Sequence, residues 1–416
     1  MSARPDRLRD SPGYPAFWAA STVSEFGSYV TALAVQVLVV VDLGGTAAQV
    51  GLVNAARWLP YLLLGVVVGV LVDRARRRPL LVGTDLARGV LLLAIPVLAW
   101  AGHLPVGVLM ALLAVFGLFS LVNDAASQSF VPRLVPARLL TPAHARLDQS
   151  DAVAQASGPA LAGGLVSLVG APAAVLVDAA SFLVSGALLT RVPVTEPPGR
   201  RGSLRGVGRE AAEGLRWVYR HPTLRPFAVG THLWFLFHGA AGAVLVPYAV
   251  RTLGLSAFGL GLALAAAGVG ALVGSSSAVR LGARFGAGRL VAAAWVANGA
   301  AWAGMALATG SSAGWALFGA GQLLLGLGMG AENANSMGYR QAVTPDRLQG
   351  RMNTTMRSVN RAMIVVGAPL GGWLGDRLGY RPVLAGAAAG LVLVAVALAL
   401  SRYRDARRDD RYVLSA

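Results

Sequence analysis

The chain of 416 residues contains no cysteine. Disulfides, thiolate-bound metals and thiol nucleophiles are therefore excluded. Lysine is absent as well, so all 36 basic residues are arginine. Charge is scarce overall, at 13% of residues, where a soluble domain carries about 25%. No Walker-type glycine-rich loop occurs, which argues against ATP as an energy source. The few histidines are scattered, so no metal site and no cofactor are expected. No nucleophile–base constellation marks an enzyme.

What the chain has is oil. Hydrophobic residues make up 55% of it, with a mean hydropathy of +0.60. They fall in runs of about 20, long enough to cross a hydrocarbon core of about 30 Å. Amphipathic stripes, the mark of soluble helices, are missing. Spans are read at 16–41, 49–72, 79–101, 104–130, 145–169, 172–191, 224–250, 256–280, 288–309, 312–340, 352–375 and 382–401. The fold class is an all-α membrane protein, with twelve transmembrane helices in two six-helix bundles.

The net charge of +17 does not point to nucleic acid, because the arginines recur in short alternate loops rather than in one basic domain. Arg74 to Arg78, Arg133 and Arg138, Arg200 to Arg225, Arg280 to Arg289, Arg347 and Arg351, and Arg402 to Arg411 share one side. Only Arg251, Arg377 and Arg381 fall on the other. The positive-inside rule then places both termini in the cytoplasm of a multi-pass cell-membrane protein. The apolar run after the basic N-terminus is too long for a signal-peptide core, so it is read as a retained first span. The expected organisation is a tail over 1–15, a bundle over 16–191, a cytoplasmic linker over 192–223, a second bundle over 224–401 and a tail over 402–416. Within the linker, Glu210 to Tyr219 reads as a short surface helix.

An internal repeat supports two related halves. A shift of 209 residues carries Pro136 onto Pro345, Arg138 onto Arg347, Gly158 onto Gly367 and Gly163 onto Gly372. The same shift lays Asn123 to Ser127 on Glu332 to Ser336. Parallel repeats of this kind imply a pseudo-two-fold axis along the membrane normal, with a substrate path between the halves.

The loop "GVLVDRARRRPLL", between the second and third spans, resembles the signature of the major facilitator superfamily: Gly69, Leu71, Asp73, Arg74, Arg77 and Arg78 match it, and Arg76 stands where the family prefers glycine. "RQAVTPDRLQGRMNTTMR" and "LVDAASFLVSGALL" are similar to the enterobactin-exporter and macrolide-efflux branch. The resemblance implies a proton-coupled exporter of a drug or metabolite. It implies a gate latch in which Asp73 approaches the start of the eleventh helix near Gly350 and Arg351, where the helix dipole favours an anion. Arg77 would reach an acid at the end of the fourth span, and Asp124 fits. The loop cluster alone could equally serve only to fix topology.

Charged groups inside spans are costly and mark function by default. Glu25 shares a helical face with Tyr29 and Gln36, and Arg57 lies at a similar depth. The two read either as a buried structural pair or as a proton-coupling site. His238 is a second candidate proton carrier, though a hydrogen-bonded interior histidine is the plainer reading; His232 lies six residues earlier, off that face. Asp148 and Arg357 are repeat partners of opposite charge, and with Glu332 they form a candidate cytoplasmic latch, or else simple caps. Tyr29, Gln36, Trp234 and Phe235 are candidate cavity walls. Asp178, Ser181 and Ser185 read as a core hydrogen-bond network.

The expected partners are the lipid bilayer, a small amphipathic molecule such as an antibiotic, siderophore or secondary metabolite, and the proton. No nucleic acid is expected, and the chain is read as a monomer. Import of a nutrient is the alternative function; a non-transporting receptor or scaffold is the second.

Overall fold

The computed structural model describes residues 7–194, 196 and 207–406; the side chains of Val66, Val70, Asp73 and Val207 lie outside that description. The tails at 1–6 and 407–416, and most of the basic first part of the linker, are likewise outside it. The first half holds α1 (Tyr14–Val37), α2 (Ala47–Arg74), α3 (Arg77–Trp100), α4 (Val106–Leu134), α5 (Leu140–Val169) and α6 (Ala171–Thr190). A linker helix follows, α7 (Val207–Arg220), longer at both ends than the expected Glu210 to Tyr219. The second half holds α8 (Leu224–Pro247), α9 (Ala257–Phe285), α10 (Ala287–Leu307), α11 (Ser312–Val343), α12 (Asp346–Leu378) and α13 (Tyr380–Ala399).

Ten of these helices are long and apolar enough to cross a membrane, counting described residues only. The two others among the twelve are α2, whose description is incomplete, and α12. The latter carries Asn353, Arg357, Asn360 and Arg361 within its first half, and its polarity is explained below by what it faces.

The repeat is visible in the turns. Thr46 accepts from the Gln49 amide in a capping box that starts α2. Ser256 accepts from the Gly259 amide at the start of α9, 210 residues on. Each start follows a turn of π-helix, Leu38–Asp42 and Tyr248–Thr252. The α5–α6 and α12–α13 corners turn on Gly170 and Gly379, at φ +82° and +91°, where a side chain would be strained. Packing repeats too. In the first half α1 lies on α5 and α6, α2 on α4, and α3 on α4 and α6. In the second half α8 lies on α12 and α13, α9 on α11, and α10 on α11 and α13. These are the same pairings in the same order.

The halves meet along two equivalent seams, α2 against α12 and α5 against α9. Both seams are tight at the end away from the linker. Gly51 faces the Ala368 carbonyl and Gly372 the Ala47 carbonyl, while Gly163 faces the Ala257 carbonyl and Gly261 the Pro159 carbonyl. A Cβ at any of the four would collide with the facing backbone. In lipid, such small residues let backbones approach and pack where burial of oil supplies no drive. Polar caps finish the closure. The Asp376 carboxylate accepts from the amides of Ala47 and Ala48, both at 2.9 Å, so a residue of α12 caps the start of α2. Ser167 of α5 accepts from the Phe258 amide at 3.0 Å and does the same for α9. Ser167 and Asp376 are repeat partners, 209 residues apart. Arg251 adds bonds across the same end to the carbonyls of Val40 and Gly45, at 3.0 and 2.7 Å.

A carboxylate on a helix N-terminus stabilises it by about 1–2 kcal/mol. Asp376→Ala should therefore shift the balance toward opening at this end by roughly 5- to 30-fold, and Ser167→Ala by less, because its hydroxyl is neutral. The absence of cysteine makes the check direct: a single Ala48→Cys should react faster with a polar maleimide in the Asp376→Ala background than in its parent.

Candidate functional site

At the linker end the seams part. A cavity of about 430 Å³ opens there between Tyr61, Gly65 and Gly69 of α2, Asp124, Gln128 and Ser129 of α4, and Gly350, Asn353, Thr354, Arg357, Ser358 and Arg361 of α12. That volume suits a small organic ligand. The polar half of α12 faces this space, so its low hydropathy reflects a watered wall. Tyr61 donates to Asp124 at 2.6 Å. The Arg361 guanidinium lies 3.7 Å from the Trp58 ring centre, a cation–π contact from one half to the other.

The signature loop is organised by a residue the sequence reading passed over. Glu196, in the linker, accepts from the backbone amides of Arg77 and Arg78 at 3.0 and 2.9 Å, and so caps the start of α3. Its side chain is 4% exposed and lies 4.0 Å from Arg133. The signal was present: an acid downstream of an arginine-rich helix start with no acid of its own. Arg77 reaches Ser129 of α4 at 3.4 Å, while the expected acid, Asp124, is held by Tyr61. Arg78 bonds the carbonyls of Leu189 and Thr190 at the end of α6. Arg74 sits half-buried at the end of α2, and Gly69 faces the open cavity. The side chain of Asp73 lies outside the described residues. Among the described residues, nothing lies within 4 Å of a Cβ built at Gly350. Arg351 is instead paired with Glu213 and, at 3.5 Å, with Glu210, both on α7.

Glu25 and Arg57 do not meet. Arg57 turns with α2 toward α4, 5.4 Å from the Phe116 ring and 5.8 Å from the Trp58 ring. Glu25 turns with α1 toward α5 and lies beside Asp151. Tyr29 donates to the same Asp151 at 3.4 Å. Glu25, Tyr29 and Asp151 form an acidic cluster within electrostatic reach of Asp124 and Asp148. Gln36 is further along α1 and bonds only the Ala32 carbonyl, at 3.2 Å.

The other candidates fall elsewhere. Asp148 and Arg357 are not paired: Asp148 lies beside Arg146 and Gln149 on the outer part of α5, and Arg357 lines the cavity. Glu332 lies inside the second half, near Ser336 and Arg340, because α11 packs on α9 and α10 and not on the first half. Trp234 is buried rather than a cavity wall; it stacks on His238 at 4.5 Å and meets Phe235 edge-on at 5.0 Å. His238 is thus enclosed by Trp234 and Trp302, and its Nδ1 has no hydrogen-bond partner among the described residues. His232 joins Tyr219 of α7, at 2.8 Å, to Asn360 of α12, at 2.7 Å.

Two polar clusters sit in the first half. Ser181 donates to Asp178 at 2.9 Å, as read from the sequence. Ser185 instead donates to Asp85 at 2.5 Å. Asp85 forms a buried ion pair with Arg88, and Asn123 donates to Asp85 at 2.9 Å. The spacing of Asp85 and Arg88, one helical turn apart inside a span, was the available signal.

α7 is fastened to the second half. Besides the Arg351 pairs, the Trp217 indole donates to Thr344 at 3.3 Å. At the α7–α8 corner, burial lowers the His221 pKa from its usual value. The neutral ring accepts at Nδ1 from the Thr223 and Leu224 amides, at 3.4 and 3.3 Å.

A family model described as "Transmembrane secretion effector" matches residues 10–414. An uncharacterized MFS-type transporter of Sinorhizobium fredii, y4rN, is 28% identical over 88% of this chain and 89% of its own length. Macrolide efflux protein A of Streptococcus pyogenes is 25% identical over 53% of this chain and 55% of its own. Among solved structures, the nucleoside transporter NupG superposes with a TM-score of 0.76 at 10% identity, over 92% of this chain and 98% of that one. A bacterial homologue of the iron transporter ferroportin, in an inward-facing state, gives 0.73 at 18% identity, over 92% and 97%. At these identities the two structures show a shared fold.

Removing one partner of a buried ion pair strands the other and costs about 3–5 kcal/mol, whereas an apolar replacement of both costs far less. Thermal unfolding in detergent should thus rank Asp85→Ala below the double variant Asp85→Ala with Arg88→Met. For His221 the pKa is depressed on folding, so its contribution is complete above the ordinary value of 6.5 and is lost as pH falls through the lowered folded value. A stability profile against pH should show a loss on that acid side that is absent from His221→Asn.

Proposed function

The chain belongs to the transmembrane secretion effector family of the major facilitator superfamily, and on that premise we propose that it is a proton-driven exporter of a small amphipathic molecule. It is a transporter and not an enzyme, as its relatives are. Export is supported by the macrolide efflux protein among those relatives. The linker end is read as cytoplasmic, on the strength of its arginine-rich loops. The conformation with a closed far end and an open linker end is then inward-facing, ready to load cargo from the cytoplasm of a cell whose inner membrane holds the chain.

The observation that carries the coupling is the cluster of Glu25, Tyr29 and Asp151 inside the membrane beside the cavity. Two carboxyls this close repel as anions, which suits the pair to carrying a proton. Exposure to one side loads the proton, and exposure to the other releases it. When the linker end closes, Arg351 leaves Glu210 and Glu213, and the start of α12 becomes available to Asp73. The far-end seams then open in exchange.

Inverted vesicles test this with a panel of amphipathic fluorescent dyes of either charge. At least one dye should accumulate on energisation and leave again when a protonophore is added. Glu25→Gln should abolish that accumulation while leaving energy-independent dye exchange intact. Accumulation that ignores the protonophore, or that survives in Glu25→Gln, would contradict the coupling.

A further inference from the structure

We propose that the cargo carries an acid group, a carboxylate, sulfonate or phosphate, and that Arg357 and Arg361 bind it; this rests on the transport reading above. Most arginines of the spans and their ends have partners. Arg88 is paired with Asp85, and Arg351 with Glu210 and Glu213. Arg78 bonds two backbone carbonyls, and Arg340 donates to the Ser336 carbonyl at 3.3 Å. Arg57, behind Trp58, is covered by the rings of Trp58 and Phe116.

Arg357 and Arg361 differ. Both line the cavity. Among the described residues neither has a carboxylate within 4.0 Å or an acceptor for its N–H groups. Arg361 has only the faces of Trp58 and Tyr61, at 3.7 and 5.9 Å. Among the described residues Asp124 is the one carboxylate of the cavity lining, and Tyr61 already occupies one of its oxygens. The ten N–H donors of the two guanidiniums therefore have no hydrogen-bond acceptor among the described residues.

Such cations are expensive in a span unless water or a ligand satisfies them. They stand four residues apart on α12, so their side chains lie on one helical face about 6 Å apart. A planar guanidinium fork matches a carboxylate or a tetrahedral oxyanion by paired hydrogen bonds, and two forks at that spacing can share one such group. The apolar body of the cargo then has Leu121 and the rings of Trp58 and Tyr61 to lie against. Of the nearby acids, Glu25 and Asp151 face each other, and Asp124, within electrostatic reach of Arg361, is engaged by the Tyr61 hydroxyl and makes no ion pair with it within 4.0 Å.

Three probes with one ring system separate the charges: 1-naphthoate, the neutral 1-naphthamide and the cationic 1-naphthylmethylamine. Binding to the purified full-length transporter is read by equilibrium dialysis. The acid should bind about ten-fold more tightly than either relative, a difference expected of one charge-assisted bidentate contact. Arg357→Gln or Arg361→Gln should erase that preference at unchanged thermal stability, and Arg361→Lys should keep part of it. Equal or tighter binding of the amine or the amide, no binding of any of the three, or a preference that survives both glutamine variants would overturn the proposal. Movement across proteoliposomes separates this from the reading it rests on. Gradient-driven transport of the amine alone would sink the acid-binding claim and leave the transporter standing; selective binding of the acid with no transport of any compound would do the reverse.

Discussion

Backbone-to-backbone contact between the halves, running from the far end to Gly268 against Gln155 and Ala156 at mid-helix, shapes the rest of the molecule. Gly51 and Gly372 on one seam, and Gly163 and Gly261 on the other, leave no room for a Cβ. Helices held that closely at one end, with long bodies of 28 to 33 residues, must diverge or converge at the other according to their tilt. Here they diverge, and the divergence is the cavity. Because glycine contacts are smooth and carry no interlocking side chains, the seams can slide and part without a large barrier. The polar caps from Asp376 and Ser167 therefore decide how long they stay shut.

The caps are equivalent by repeat but not by chemistry. One is a carboxylate spanning two amides, and the other is a hydroxyl on one amide. A helix N-terminus favours an anion, so the α2–α12 seam is the stronger lock and the α5–α9 seam the weaker. The same asymmetry runs through the cavity. The α12 wall carries Arg357 and Arg361, whereas its repeat counterpart, α5, carries Asp148 and Asp151. Two halves that share a backbone thus differ in charge at the cavity, basic on the second and acidic on the first. Glu196 and α7 serve both. Glu196 fastens the start of α3 to the linker, and α7 is pinned to Arg351 of the cavity-lining helix, so movement of one half is felt by the connection to the other.

The fold was largely legible because its signals are physical and repeated. Runs of oil longer than a bilayer's thickness and arginine in alternate loops give the twelve spans. The 209-residue shift relates Gly163 to Gly372, both of which prove to be seam residues. The site was legible only in part. Glu25 was visible as an acid in oil, but its neighbour Asp151 was not, since nothing in the sequence says which face of α1 meets α5. Arg57 was matched to Glu25 by depth, and depth does not fix azimuth: α2 carries Arg57 toward Phe116. Asp85 and Arg88 were legible as an i,i+3 pair, but their partners Asn123 and Ser185 on α4 and α6 were not. Trp234 read as a cavity wall because an aromatic in a span looks the same whether it faces ligand, lipid or a neighbouring histidine.

In the proposed cycle the two ends of the seams exchange openness around the cavity. Paired spin labels measure it most directly: one pair at the far end, on Gln49 of α2 and Arg377 of α12, and one at the linker end, on Gln128 of α4 and Ser358 of α12. On acidification of reconstituted protein, the far-end distance should lengthen as the linker-end distance shortens, in matched populations. If both distances stayed fixed, or moved in the same direction, the halves would not rock about the cavity and the account would fail.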